Sequence, residues 1–293
     1  MKLKPVMQRL SVYERLMRLD KPIGILLLLW PTLWALWLAG NGSPDWLVVW
    51  IFVLGTVLMR SAGCVMNDVA DRNFDGRVQR TRARPLAAGE VGVGEALALA
   101  VFLSLLAFGL VLFLNRLTVW LSLAALLLAA SYPFTKRFFA IPQAYLGIAF
   151  GFGIPMAYAA LTNAVPPVAW LLLMANVCWA IAYDTEYAMV DREDDRKIGI
   201  KTSAITFGRH DVKTVMICQA IFLLILAWIG WRYALGMYFF VGLLAAAGLA
   251  ATHYPMIKDR DPQSCFRAFR HNNWIGAMVF AGLEASFRFP TPF

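Results

Sequence analysis

Charge is scarce in this sequence. Only 15% of its 293 residues are Asp, Glu, Lys or Arg and 60% are hydrophobic, where a soluble domain is about a quarter charged. That deficit excludes an ordinary soluble enzyme and a disordered chain. Cysteine is scarce too: Cys64, Cys178, Cys218 and Cys265 are widely separated and form no CxxC pair, which excludes a disulfide framework or a zinc site built on them. The three histidines, His210, His253 and His271, are scattered and predict no cluster. Low-complexity stretches and linkers are absent. Acid is scarcer than base, 18 residues against 27, for a formal net charge of +9.

In their place stands a succession of apolar runs. About 20 apolar residues cross a bilayer, and such runs recur at 23–40, 46–66, 95–114, 118–132, 143–161, 166–183, 213–231, 235–254 and 273–289. The expected fold is an all-α membrane protein, nine transmembrane helices in a bundle with loops capping one side. Residues 1–293 read as a single polytopic domain, because nine spans leave too little chain for a second unit. Turn residues punctuate the runs at Asn41-Gly42-Ser43-Pro44, at Asn115, and at Asn163 with Pro166-Pro167. The fourth run is the shortest, ending near Tyr132-Pro133. The segment before the first run is too polar for a cleaved signal peptide and reads as an amphipathic leader. Gly147, Gly151 and Gly153 predict a small-residue face for helix packing.

The basic residues give the chain an orientation. All 27 except Arg116, Arg232 and Arg288 fall in the leader, or in or beside the loops after spans two, four, six and eight. Lys and Arg are retained on the cytoplasmic side. The N-terminus and those loops are therefore expected in the cytoplasm and the C-terminus in the periplasm. The same rule explains the +9 charge, so the expected partner is the lipid bilayer and no nucleic acid.

The acids carry the chemical signal. At the end of span two, Asp68, Asp71 and Asp75 are spaced i, i+3, i+7, one face of a continuing helix. At the end of span six, Asp184, Tyr187, Asp191 and Asp195 repeat that pattern over one turn more. Stacked carboxylates repel and require cations. Their hard oxygens suit Mg²⁺, which prefers a few carboxylates with water and phosphate oxygens. Arg80, Arg82, Arg84, Lys136, Arg137 and Lys201 lie on the same side and suit a phosphate-bearing ligand. Two such loops at one membrane surface describe a metal–diphosphate site. An ion-coupled transporter is the competing class; it calls for charges near mid-span and broken helices at the bilayer midplane, whereas these acids lie at span ends.

The segments Asn67–Asp75 and Asp184–Asp195 resemble the two aspartate-rich motifs of the UbiA superfamily of intramembrane prenyltransferases. Arg60-Ser61-Ala62-Gly63-Cys64, Arg80-Thr81-Arg82-Ala83-Arg84-Pro85-Leu86, Tyr132–Arg137 and Gly199–Thr202 resemble its 4-hydroxybenzoate polyprenyltransferase branch, and the short leader resembles that of bacterial members. The resemblance implies an enzyme of the bacterial inner membrane, in ubiquinone synthesis. It would move a polyprenyl group from polyprenyl diphosphate to the carbon ortho to the hydroxyl of 4-hydroxybenzoate, with Mg²⁺ as cofactor. It further implies that Asp68, Asp71, Asp75, Asp184, Asp191 and Asp195 hold metal, that Asp71 and Asp191 are catalytic, and that Asn67 and Tyr187 bind substrate. Arg80, Arg84, Tyr132 and Lys136 would meet the diphosphate. Homogentisate, a naphthoate and haem are alternative acceptors within the superfamily.

Physical argument adds two roles. Metal binding competes for Asp191, yet it is also the candidate general base for the phenol or ring proton. Arg60 lies two turns before Asn67 on one face, deeper than the acids, and an intramembrane Arg needs a partner. It suits the acceptor carboxylate; the structural alternative is an Arg that snorkels or is ion-paired with Asp68 or an acid of another loop. Arg267, Asn272 and Trp274 are candidates to close the site.

Overall fold

The computed structural model describes residues 3–76 and 81–291, and among these all regular structure is helical. An N-terminal helix, α1 (Leu3–Met17), precedes nine stretches that stand where the apolar runs were. They are α2 (Ile23–Ala39), α3 (Trp46–Asp75), α4 (Val93–Val111), α5 (Arg116–Thr135), the broken pair α6 (Pro142–Gly151) and α7 (Gly153–Thr162), α8 (Pro167–Val190), α11 (Asp211–Arg232), α12 (Met237–Ala251) and α14 (Pro262–Arg288). Short helices α9 (Arg192–Ile198), α10 (Ser203–Phe207) and α13 (His253–Ile257) fill the loops between. Seven described stretches are long and apolar enough to cross a membrane. The other two differ in opposite ways: α2 is apolar but has 17 residues, and α14 has 27 with a polar first half.

Local chemistry sets the ends. Asn115 caps α5, its side chain accepting from the Thr118 amide at 3.0 Å. Asn163 closes α7 in the left-handed conformation, φ 53°. Pro166 and Pro167 begin α8, where a missing amide costs nothing. Span four is longer than the sequence suggested: α5 runs through Pro133 to Thr135.

Trp34 of α2, Trp179 of α8 and Phe222 of α11 form the centre of the bundle, with ring centroids 5.3–5.8 Å apart. So the tryptophans divide: Trp34 and Trp179 are core, while Trp46, Trp120 and Trp231 face outward as interfacial side chains do. Lipid tails are as apolar as leucine, so helices in a bilayer associate by close packing rather than by water exclusion. The expected small-residue face does this work. A Cβ on Gly147 would stand 2.8 Å from the Val177 Cα, so α6 lies against the backbone of α8. Gly151 and Gly153 lie against the side chains of Asn176 and Thr32.

The leader is bound to the bundle. Arg15 grips Glu90 through both guanidinium nitrogens, at 2.5 and 3.1 Å, and that bond holds the Glu90 carboxyl below its usual range. Arg9 and Tyr13 reach Glu95.

Gly147→Ala should lower the thermal midpoint in detergent micelles, because a backbone atom cannot yield to the new methyl group; overpacking of this kind costs about 1–3 kcal/mol. Gly109→Ala, which meets nothing within 4 Å, should leave the midpoint unchanged or slightly higher.

Candidate active site

A cavity of about 1040 Å³ opens at the end of the bundle where α3 and α8 finish, and extends inward between α2, α3, α4 and α5. Its walls change along its length. Carboxylates and cations line the mouth; Phe52, Phe108, Val111 and Leu126 line the inner arm. The space lies at the top of the roughly 300–1,000 Å³ range that holds a drug-sized ligand, and it suits a molecule with a charged head and a long apolar tail.

The first acidic cluster is formed as the spacing predicts. Helix α3 continues past the apolar run, and Asp68, Asp71 and Asp75 are 1%, 8% and 6% exposed. Buried charges need partners, and these come from three other segments. Arg84 Nη1 reaches Asp75 Oδ2 at 2.8 Å and Asp68 Oδ1 at 3.1 Å. Lys136 Nζ, just beyond α5, reaches Asp71 Oδ2 at 2.6 Å and Asn67 Oδ1 at 3.2 Å. Arg18 Nη2 reaches Asp68 Oδ1 at 2.5 Å. Asp68 Oδ2 is buried without a hydrogen-bond partner.

The second cluster departs from expectation. Asp184 to Asp195 do not share one helical face, because α8 stops at Val190 and α9 starts at Arg192. Asp191 stands at the break, φ −102° and ψ 7°. The break turns the chain, and Asp184, Asp191 and Asp195 all still line the cavity with Tyr187. The Tyr187 ring packs on Phe269 at 4.7 Å. The loop beyond α9 is joined to the end of α5, where the Lys201 amide donates to the Lys136 carbonyl at 3.2 Å. Thus both motifs and both basic loops meet at one mouth.

Arg60 lies deeper in the cavity wall. Its guanidinium carbon is 5.4 Å from the centre of the Phe150 ring, and it fills the space beside Gly24 that a side chain would take. The expected alternative, an ion pair with Asp68, is not formed; Asp68 belongs to Arg18 and Arg84. Among the described residues no carboxylate lies within ion-pair distance of Arg60. Tyr132 and Tyr183 line the same region.

The remaining candidate residues divide. Arg80 lies outside the described residues. Arg82 is exposed and does not line the cavity. Arg137 donates to the Ala70 carbonyl at 3.2 Å instead of facing the mouth. Arg267 and Trp274 line the cavity, but Asn272 points away into a buried network with Glu186. Two of the three histidines meet: His253 Nε2 and His271 Nδ1 are 3.1 Å apart. Among the described residues no three Asp, Glu, His or Cys side chains converge as a ready-made metal site. Sequence reasoning missed Arg18, 50 residues from Asp68 in the chain, because it looked like one more basic residue of the leader.

Residues 28–275 match the UbiA prenyltransferase family. A 4-hydroxybenzoate octaprenyltransferase of Cupriavidus necator is 64% identical over 282 residues, 96% of this chain and 99% of that one. One of Thiobacillus denitrificans is 67% identical over 280 residues, 96% of each. Among solved structures, a UbiA homologue from Aeropyrum pernix superposes with a TM-score of 0.77 at 24% identity, covering 88% of this chain and 96% of that one. A UbiA homologue from Archaeoglobus fulgidus bound to GPP and Mg²⁺ superposes at 0.67 with 19% identity, covering 94% and 99%. By the extent of the family match and the identity to these relatives, the chain belongs to the UbiA prenyltransferase family.

Proposed function

We propose that this protein transfers a polyprenyl group from polyprenyl diphosphate to the carbon ortho to the hydroxyl of 4-hydroxybenzoate, releasing diphosphate, as a step of ubiquinone synthesis in a bacterial inner membrane. The observation that carries this is the identity of 64–67% over nearly the whole chain to enzymes of that name. One cavity joining a charged mouth to an apolar arm supports it.

The reading assigns the tail to the apolar arm and the diphosphate to the mouth. Arg18, Arg84, Lys136 and Lys201 neutralise phosphate oxygens, aided by Tyr132 and Asn67; Arg80 joins them. Charge on the leaving diphosphate grows as the allylic carbon–oxygen bond breaks, so these fixed cations act most strongly in the transition state. The resulting allylic cation must avoid water, and the apolar walls exclude it.

The residues fit a divalent metal by donor chemistry: hard carboxylate oxygens, one of them, Asp68 Oδ2, buried without a partner. Asp68, Asp71 and Asp75 with Asp184, Asp191 and Asp195 would hold Mg²⁺. When bound, the metal supplies positive charge to the diphosphate oxygens. Tyr187 shapes the wall beside them. We assign to Asp191 the drawing of the acceptor hydroxyl proton, which raises electron density on the ortho carbon. Arg60, with no ion-pair partner among the described residues, takes the acceptor carboxylate.

In this reading all nine helical stretches cross the membrane as one polytopic domain, and α2 and α14 do so with help from their neighbours. The charged mouth faces the cytoplasm, and the C-terminus faces the periplasm.

Membranes holding the protein should prenylate 4-hydroxybenzoate only with divalent metal present. Asp71→Asn and Asp191→Asn should each cut turnover by about 10²-fold or more, the scale for losing one electrostatic group at a reacting centre. Full activity in a chelator, or in either folded variant, would refute the assignment. Arg60→Ala should raise KM for 4-hydroxybenzoate about 10- to 100-fold, the worth of a charged hydrogen bond, and leave KM for the prenyl diphosphate nearly unchanged. Arg60→Lys should lie between, since it keeps the charge and loses the planar fork. Single cysteines at positions 75 and 195 should be labelled from the cytoplasm; periplasmic labelling would reverse the topology.

A further inference from the structure

Behind the cavity, four helices enclose a polar network that the proposed reaction has not used. Glu186 of α8 and His253 of α13 are both fully buried. His253 Nδ1 lies 2.7 Å from Glu186 Oε1, and Asn272 Nδ2 donates to Glu186 Oε2 at 2.7 Å. Gln219 of α11 approaches the same pair, 3.0 Å from His253 Nδ1 and 3.5 Å from Glu186 Oε1. Trp179 Nε1 holds the Asn272 carbonyl oxygen at 3.0 Å. These bonds satisfy the carboxylate. Nothing in that requirement calls for a second imidazole, yet His253 Nε2 continues to His271 Nδ1 at 3.1 Å, and His271 lines the cavity.

The chain of bonds sets the tautomers. His253 Nδ1 faces both Glu186 Oε1 and Gln219 Nε2; the shorter contact, at 2.7 Å, is to the carboxylate, which only accepts, and this assigns the Nδ1 proton to the bond with Glu186. Neutral His253 then carries a lone pair on Nε2 and must accept, so His271 donates from Nδ1. That leaves the His271 lone pair on Nε2, the nitrogen with no partner in the network. The arrangement is a base at the cavity wall, backed by a second imidazole and a buried negative charge. A carboxylate behind an imidazole holds its tautomer and stabilises the imidazolium it becomes.

We propose that His271 accepts the ring proton displaced by prenylation, with His253 and Glu186 as the positioning residues behind it. This rests on the reaction proposed above. In that reaction a π pair of the ring forms the new carbon–carbon bond, and the carbon–oxygen pair leaves with diphosphate. The substituted carbon still bears its hydrogen. His271 Nε2 takes that proton, the carbon–hydrogen pair restores the aromatic ring, and the hydroxyl oxygen recovers the proton drawn by Asp191. Glu186 neutralises the cation shared by the two imidazoles. The proton then leaves His271 Nε2 for water when the product departs.

The test uses full-length protein in native membranes, with 4-hydroxybenzoate carrying either hydrogen or deuterium at both ring carbons ortho to the hydroxyl. The wild type should turn over both forms alike, because bond breaking at the allylic carbon limits the rate. His271→Gln should lower kcat about 10²-fold, the scale of general-base catalysis, with both KM values little changed, and should now discriminate against deuterium. Glu186→Gln, which keeps the shape and removes the charge, should give a smaller fall with the same discrimination. The isotope ratio does not depend on how much folded enzyme is present, so poor folding of a variant cannot imitate it. A His271→Gln enzyme with normal kcat, or a slow one indifferent to deuterium, overturns the role of His271. A wild type that makes no prenylated 4-hydroxybenzoate overturns the proposed function instead, and this inference with it.

Discussion

Three carboxylates on the last turns of α3, withdrawn from water at the end of a membrane helix, are the constraint on which the site depends. Burying one such charge unpaired costs several kcal/mol, and three on one face also repel. The counter-charges are Arg18 from the leader, Arg84 from the loop after α3 and Lys136 from just beyond α5. Segments far apart in the chain are drawn to one place by the need to neutralise Asp68, Asp71 and Asp75. In the proposed function the same cations recognise the diphosphate, so the groups that neutralise the acids are also those that would read the substrate.

The second motif works by interruption. A continuous helix from Asp184 to Asp195 would have carried its acids along a straight rod. The break at Asp191 turns the chain across the mouth, so that Asp184 on α8 and Asp195 on α9 both line the cavity. On α8, Glu186 is two residues beyond Asp184 and so points to the other side of the helix. One helix thus supplies a carboxylate to the cavity and another to the buried histidine network behind it. The close contact of Gly147 with Val177 holds α6 against that helix.

Charge and apolarity are distributed to match an amphiphile. Arg18, Arg84 and Lys136 stand at the mouth with the first acidic cluster, and the inner arm between α2, α3, α4 and α5 is lined by apolar side chains such as Phe52, Phe108, Val111 and Leu126. Arg60 is the exception in depth, a cation in an aromatic wall beside Phe150. An Arg in such a place is costly unless a ligand or partner completes it, which is why it marks the acceptor end of the proposed site.

The helical class and the positions of the nine stretches were legible in sequence, because about 20 consecutive apolar residues have few other uses. So was the first motif, because i, i+3, i+7 spacing on a continuing helix decides its own geometry. The length of α5 was not, since Pro133 reads locally as a stop and neighbouring helices allowed it to pass. Neither was the break at Asp191, which no Pro or Gly announces. Arg18 and the pairing of His253 with His271 were invisible for a deeper reason: they are contacts between residues far apart in the chain, and spacing reports only what one element does with itself. By itself the sequence determined where the apolar helical stretches would lie and that Asp68, Asp71 and Asp75 would share a face, because those follow from hydropathy and helical period. The tertiary structure alone decided which cation meets which acid, that Arg60 has no carboxylate beside it among the described residues, and that a histidine reaches the cavity wall with a buried carboxylate behind it. Pairing of that kind is set by how helices pack in three dimensions, and chain distance carries no record of it.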